Sequence, residues 1–490
     1  MDQIDITPDK RNASLGYRIS KYTMLYMALI IGFAILPHAV LGLEINDEEG
    51  RIKRAISADP TNVSLRLELS RYYIKQYNST KDSSYLDKVI FDTIETLRIE
   101  PTRMEAHLDA MYALNFLPAS KISEKHLEQL KGFQAKALKT NQDLVSLDGF
   151  VPYQFFIGWL YYVRGFKNKE SLDKAAAELK ESVRLQPALP SSHRVLGAVY
   201  RSQGKNDLAI FELKEAIRLD PYSAKNHKEL AIVYRNGVFS SDGCLDLSIV
   251  EPGIRSIKEA VRLDPNDAYS HFLLGWFFTL TGNFDLGIFE YKTATDLDNQ
   301  SQYREKIAMA YLLKGDVDIA LDRLLVTLEE KSSQEAIGNL LYDLSFAYLI
   351  LNRFDEARVK AYSAVSNRVS KPAYAKIINY LALQQLQKKS EAQALLLAHT
   401  RQNKPGSWEY DIVQYYLGII NEEKLLGKVS NPCKKTEAYF YIGYNYLINE
   451  NREKAMSCFR IACDEKIYGF SEYAGACIKL RELEQANASK

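Results

Sequence analysis

The sequence predicts an all-α fold, a solenoid of stacked helix–turn–helix units, and three observations carry that prediction. Pro187 and Pro221 stand 34 residues apart, and the same 34 separate Pro265 from Asn299. The segments ending there align with each other, HRVLGAVYRSQGKNDLAIFELKEAIRLDP at 193–221 with HFLLGWFFTLTGNFDLGIFEYKTATDLDN at 271–299. Inside each, apolar residues recur at i, i+3, i+4 and i+7, which gives every helix one buried stripe. Proline between units ends one helix and starts the next. One unit cannot bury its own stripe, so neighbours must stack into a continuous core.

Several places of the unit agree at once. The eighth is small, as in Gly158, Gly197, Ala231, Gly275, Ala308, Ser345 and Gly443. The eleventh is aromatic, as in Tyr161, Tyr200, Tyr234, Phe278, Tyr311, Tyr348 and Tyr446. The twentieth is small again, as in Ala175, Ala209, Gly253, Gly287, Ala320, Ala357 and Ala455. This pattern resembles the tetratricopeptide repeat family, which implies a right-handed superhelical solenoid. The expected order is a tail at 1–21, a membrane or signal helix at 22–43, and a juxtamembrane helix at 44–62. Degenerate repeats follow at 63–150, regular ones at 151–371 and degenerate ones at 372–435. A final repeat and a capping helix close the array at 436–486, the cap covering the last exposed stripe.

The 490 residues balance 63 Lys+Arg against 62 Asp+Glu, a net charge of +1 that argues against a whole-chain nucleic-acid binder. With 32 Tyr and 20 Phe, the chain also has more apolar area than a disordered one. Cys244, Cys433, Cys458, Cys463 and Cys477 include no CxxC pair, so no disulfide framework is indicated. They are expected as small buried hydrophobes, with one bridge among the last three left open for an oxidising compartment.

Tyr22 to Leu43 is a run of 22 positions without Asp, Glu, Lys or Arg, preceded by Lys10, Arg11, Arg18 and Lys21. As a helix it spans about 33 Å, enough for a hydrocarbon core of about 30 Å. An uncleaved anchor is expected; Pro37 and the small Gly42 speak for the alternative, a cleaved signal peptide. No Cys closely follows the run, which excludes lipoprotein attachment at this site. The basic flank before it and Glu44, Asp47, Glu48 and Glu49 after it keep the tail inside and send the body out of the cytoplasm. In a bacterial cell that body is periplasmic.

No phosphate-loop, nucleophile-elbow, zinc-helix or dinucleotide motif is present, and no catalytic, cofactor or metal residues are expected. His193, His227 and His271 recur at the fourth place, where they are expected to be packed core histidines whose titration softens local stability in mild acid. The family resemblance implies that the second, fifth, ninth and twelfth places face a concave groove. Those places hold Phe155, Trp159 and Tyr162, then Arg194 and Arg201, then Lys225, Lys228 and Arg235. Tyr269, Phe272 and Trp276 follow, then Tyr342 and Phe346, and near the end Phe440 and Tyr444. A basic band flanked by aromatic bands suits an extended segment with acidic and apolar side chains. The carboxylate clamp by which some relatives hold chaperone C-termini is not assembled, because Ala198 and Glu229 stand where it needs Asn.

The expected function is a non-enzymatic, membrane-anchored scaffold that binds other proteins, as extended peptides or membrane-complex subunits, in envelope assembly or secretion. One alternative is a carbohydrate-binding helper in polysaccharide export, since exposed Trp and Tyr also offer faces to sugar rings. The other is an import-receptor-like protein whose solenoid lies in the cytosol.

Overall fold

A computed structural model describes residues 41–118, 120–140, 152–165, 168–239, 244–331, 333–400 and 406–488. Among the described residues no helix is long and apolar enough to cross a membrane. Of the expected membrane segment 22–43, all but its last three positions lie outside the described residues. The chain folds as two compact units, Met1–Leu219 and Asp220–Lys490.

In the first unit, α1 (Leu41–Ala58) packs on α2 (Val63–Thr80), which pairs with α3 (Ser84–Ile99). α4 (Met104–Phe116) packs on α3, and α5 (Glu124–Thr140) packs on α3 and on α6 (Tyr153–Gly165), which pairs with α7 (Lys169–Leu185) as α8 (Pro190–Ser202) does with α9 (Asn206–Leu219). Side-chain caps start several helices; Asn62 accepts from the Leu65 amide at 3.2 Å, a contact worth about 1 kcal/mol. The eighth-place glycine sets the spacing inside a pair. A Cβ on Gly197 would stand 2.7 Å from Leu213 Cγ and 3.2 Å from the Ala209 carbonyl.

The second unit continues with α10 (Ala224–Gly237) and α11 (Val250–Leu263), α12 (Ala268–Leu280) and α13 (Phe284–Leu297), and α14 (Ser301–Lys314) and α15 (Val317–Glu329). Next come α16 (Gln334–Ile350) with α17 (Phe354–Ser366), and α18 (Pro372–Gln385) with α19 (Lys389–Thr400). The degenerate stretch after it holds two short helices, α20 (Trp408–Tyr416) and α21 (Glu422–Leu426). The array ends in α22 (Pro432–Ile448), α23 (Arg452–Asp464) and α24 (Ser471–Ala488).

Two features depart from the sequence-based expectation. Four of the five cysteines are bonded, Cys244 to Cys433 across 189 residues and Cys463 to Cys477 across 14, while Cys458 is a buried free thiol. The insertion after α10 carries Cys244 to the start of α22, where Ile467, Leu245 and Phe470 pack around the bridge. In addition α24 does more than cap α23. It folds back onto α14, α16 and α22, placing its surface against helices more than a hundred residues earlier.

The histidines share one geometry. His107, His193, His227 and His271 each turn Nε2 to the carbonyl of the proline six residues earlier, at 2.9–3.0 Å, tying the inter-repeat turn to the first helix. At the other nitrogen His193 and His271 each face a glutamate, while His107 faces a tyrosine. His193 Nδ1 meets Glu212 at 2.7 Å, so both ring nitrogens face acceptors and both must donate. Burial pulls that imidazole down, but the bonds to Glu212 and the Pro187 carbonyl outweigh it and the net shift is upward. His107 Nδ1 meets the Tyr153 hydroxyl at 3.2 Å, and burial holds its pKa below the usual value. The softening in mild acid expected at His193 is therefore reversed there, and the destabilisation in acid falls instead on His107, which the sequence-based expectation did not name.

The raised His193 contributes stability that is complete below its unfolded value of about 6.5 and is lost as pH rises through the folded value. His193→Gln is thus expected to lower the urea midpoint more at about pH 6 than at about pH 8.5, and His107→Gln to show the opposite order. Replacing Cys244 and Cys433 by Ser opens a long loop and should lower the unfolding free energy of the full chain in detergent by about 2–5 kcal/mol. Urea denaturation followed by circular dichroism measures both effects.

Candidate functional site

The first helices of successive repeats touch one another within each unit, α6 with α8 in the first and α10 with α12 and α12 with α14 in the second. The face these first helices share is the expected inner face, and the residues expected in the groove lie on such helices.

In the first unit, Phe155 and Trp159 are half-buried against the core, with the Phe155 ring edge-on to Phe156 at 5.3 Å. Arg201 reaches back one repeat and donates to the Tyr162 hydroxyl at 3.4 Å. Arg194 is half-buried on the same helix.

In the second unit the cations are held by their neighbours. Lys225 is exposed, and Lys228 Nζ pairs with Asp267 at 3.0 Å. Asp267 also caps α12 by accepting from the Ser270 amide, and although burial raises its carboxyl, the bonds to Ser270 and Lys228 bring it net below the usual range. Arg235 donates to the Tyr269 hydroxyl at 2.7 Å, and its guanidinium lies 6.0 Å from the Trp276 ring centre. A guanidinium fixed this way against an aromatic face is oriented before a ligand arrives, which lowers the ordering cost of binding.

The remaining aromatics are not available. Phe272 is 7% exposed, its ring stacked on Tyr269 and packed on Tyr303 at 5.2 Å. Phe346, Phe440 and Tyr444 are at most 1% exposed. The helix α24 covers them: a Cβ on Gly475 would stand 2.7 Å from Phe440 and 2.9 Å from both Phe346 and Ile350. Tyr342, half-buried, neighbours Ser471 and Glu472 of the same segment. The groove expected along α16 and α22 is thus filled by the chain's own C-terminal segment, and the open inner face of this unit is the part at Lys228, Arg235, Tyr269 and Trp276.

Charged residues that the sequence reading passed over hold α24 in place. Lys479 is 2% exposed and donates to the Ile350 carbonyl at 2.6 Å, Asn352 Oδ1 at 2.8 Å and Glu482 at 2.9 Å. Burial holds its ammonium below the usual range. Glu472 accepts from the Tyr441 hydroxyl at 3.0 Å. Glu437 accepts from the Tyr374 hydroxyl and the Trp408 indole, both at 2.7 Å, and burial next to Glu472 raises its carboxyl. A signal existed, since Glu437 immediately precedes the apolar run AYFYIGY, and Lys479 falls on the face of α24 that carries Ala476 and Gly475.

Gly475→Val is expected to overpack this contact, cost about 1–3 kcal/mol and expose the aromatics beneath α24. Increased binding of the dye ANS at neutral pH, with a lowered urea midpoint, would register it.

The tetratricopeptide repeat family model matches residues 195–232. The chain is similar to the lipoprotein NlpI homolog of Haemophilus influenzae, with 29% identity over 203 residues, 38% of this chain and 63% of that protein. It therefore spans less than two thirds of that relative's length. Among solved structures it is similar to a tetratricopeptide repeat protein from Parabacteroides merdae, with 14% identity, 54% of this chain and 98% of that one covered, and a TM-score of 0.40. It is also similar to PilF of Pseudomonas aeruginosa, with 18% identity, 47% and 98% covered, and a TM-score of 0.37.

Proposed function

We propose that this tetratricopeptide-repeat chain is a non-enzymatic scaffold that holds an extended segment of another protein against the inner face of its second unit. The observation that carries this reading is the fixed cation–aromatic cluster of Arg235, Tyr269 and Trp276, with Lys228 on the same helix as Arg235. Such a surface takes a carboxylate beside an apolar side chain: the guanidinium offers a planar fork to the carboxylate and the indole offers area for the apolar group. Phe155, Trp159, Tyr162, Arg194 and Arg201 form the corresponding surface of the first unit.

The body works outside the cytoplasm, anchored through 22–43, in envelope assembly or secretion. Two disulfides support this, because such bonds persist in oxidising compartments and are rare where thiols are kept reduced. They count against the import-receptor reading, which needs a cytosolic solenoid. The similar Haemophilus influenzae protein is named as a lipoprotein, which places a membrane-associated protein among the relatives.

The test is cross-linking of the detergent-extracted full chain followed by mass spectrometry, beside a variant carrying Arg235→Glu and Trp276→Ala. The variant is expected to lose its specific partner set, with affinity for an isolated partner falling about thirtyfold or more, as for a removed interface anchor. Binding by the intact chain should weaken as salt rises from about 0.05 to 0.5 M, since exposed charge contacts are screened within about 10 Å. An unchanged partner set in a folded variant would remove the inner face of the second unit from the mechanism.

A further inference from the structure

A second feature lies near the start of the described residues. A cleft of about 550 Å³ lies among α1, α2 and α3, within the size range of small-ligand sites. Its walls include Lys53, Arg66, Tyr73, Lys88, Phe91 and Asp92. Asp92 is 6% exposed, and Arg66 Nη1 approaches its carboxylate at 3.9 Å, beyond hydrogen-bond distance. Burial pushes this carboxyl up to about 6 although Arg66 and Lys53 pull it down. A largely buried carboxylate that lines the cleft at this distance from its guanidinium is a place where a ligand gains by bridging the two.

We propose that this cleft binds a neutral sugar ring, with vicinal hydroxyls bridging Arg66 and Asp92 and the ring's C–H face resting on Phe91. A hydroxyl fits the gap because it accepts from the guanidinium and donates to the carboxylate. Phe91 is 59% exposed at the rim, a large aromatic face in water beside a polar pair. The charges decide for a neutral ring. Glu49 pairs with Lys53 at 2.7 Å and approaches Lys88 at 3.8 Å while accepting from the Tyr73 hydroxyl, and Asp87 adds a second carboxylate to the walls, so two carboxylates face the two lysines. Arg66 and Asp92 balance each other, which leaves no surplus cation for an anion. An organic ammonium is opposed by the guanidinium beside Asp92.

This site is separate from the protein-binding face and stands or falls without it. The probe experiment is saturation-transfer NMR on the full chain in detergent with maltotetraose, cellotetraose and chitotetraose, and with trigalacturonate as the anionic comparison. At least one neutral tetrasaccharide is expected to receive saturation on its ring protons, and Phe91→Ala to weaken its binding about tenfold by removing the stacking face. Asp92→Asn should weaken it further. Because that buried change risks the fold, Phe91→Ala at the exposed rim carries the decision, with circular dichroism reporting that each variant is folded. No transfer to any neutral sugar, transfer unchanged in Phe91→Ala, or stronger binding of trigalacturonate would each overturn the proposal. The Arg235→Glu and Trp276→Ala variant should bind the sugar as the unaltered chain does, so failure of the scaffold reading is visible separately.

Discussion

A second helix can lie against a first only where the residue at their crossing is small, and that requirement organises the repeats of this chain. At Gly197 the space a Cβ would need is filled by Leu213, and at Gly275 by Tyr291. Close approach converts an amphipathic helix pair into a wedge with large side chains on both flanks, and each fully buried Leu or Phe then contributes about 1.5–3 kcal/mol. The wedge is still apolar on its outer flanks. Stacking is what completes the burial, so no repeat is stable without neighbours.

Stacks end, and the far end of the second unit is closed by its own chain. The terminal segment turns back and covers the aromatics of α16 and α22 with a face made narrow by Ala474, Gly475 and Ala476. Buried charges accompany the closure. An ammonium taken out of water costs several kcal/mol unless its hydrogens are met, and Lys479 meets a carbonyl, an amide oxygen and a carboxylate. Such contacts specify one register of α24 more than they stabilise it. The disulfides act on the unfolded chain, reducing the conformations open to the insertion and to the last helix.

The same closure decides what the inner face has left to offer. Where α24 lies, aromatic side chains are core; where it does not, Arg235 and Trp276 stand partly exposed and mutually oriented. The ninth place of the repeat therefore holds a buried packing residue at Phe346 and Tyr444 and a partly exposed one at Trp276. The tetratricopeptide pattern alone cannot separate the two roles.

How much was legible follows the range of the interactions. The helix pairs, their small crossings and the proline breaks were readable because 3.6-residue periodicity and backbone restriction act over a few residues, and the His–Pro carbonyl contacts sit within six. Among the groove residues, Arg235, Tyr269 and Trp276 came together as the repeat places imply, whereas Phe272, Phe346, Phe440 and Tyr444 went to the core. The carboxylate of Asp92 gave only the faint sign of an acid one turn from the buried Val89. By itself the sequence determined the helical repeats, since each depends on local spacing of apolar, small and proline residues. Only the tertiary structure decided that Cys244 meets Cys433, where the last helix lies and which aromatics remain open, because those depend on which surfaces meet after more than a hundred residues of chain have turned.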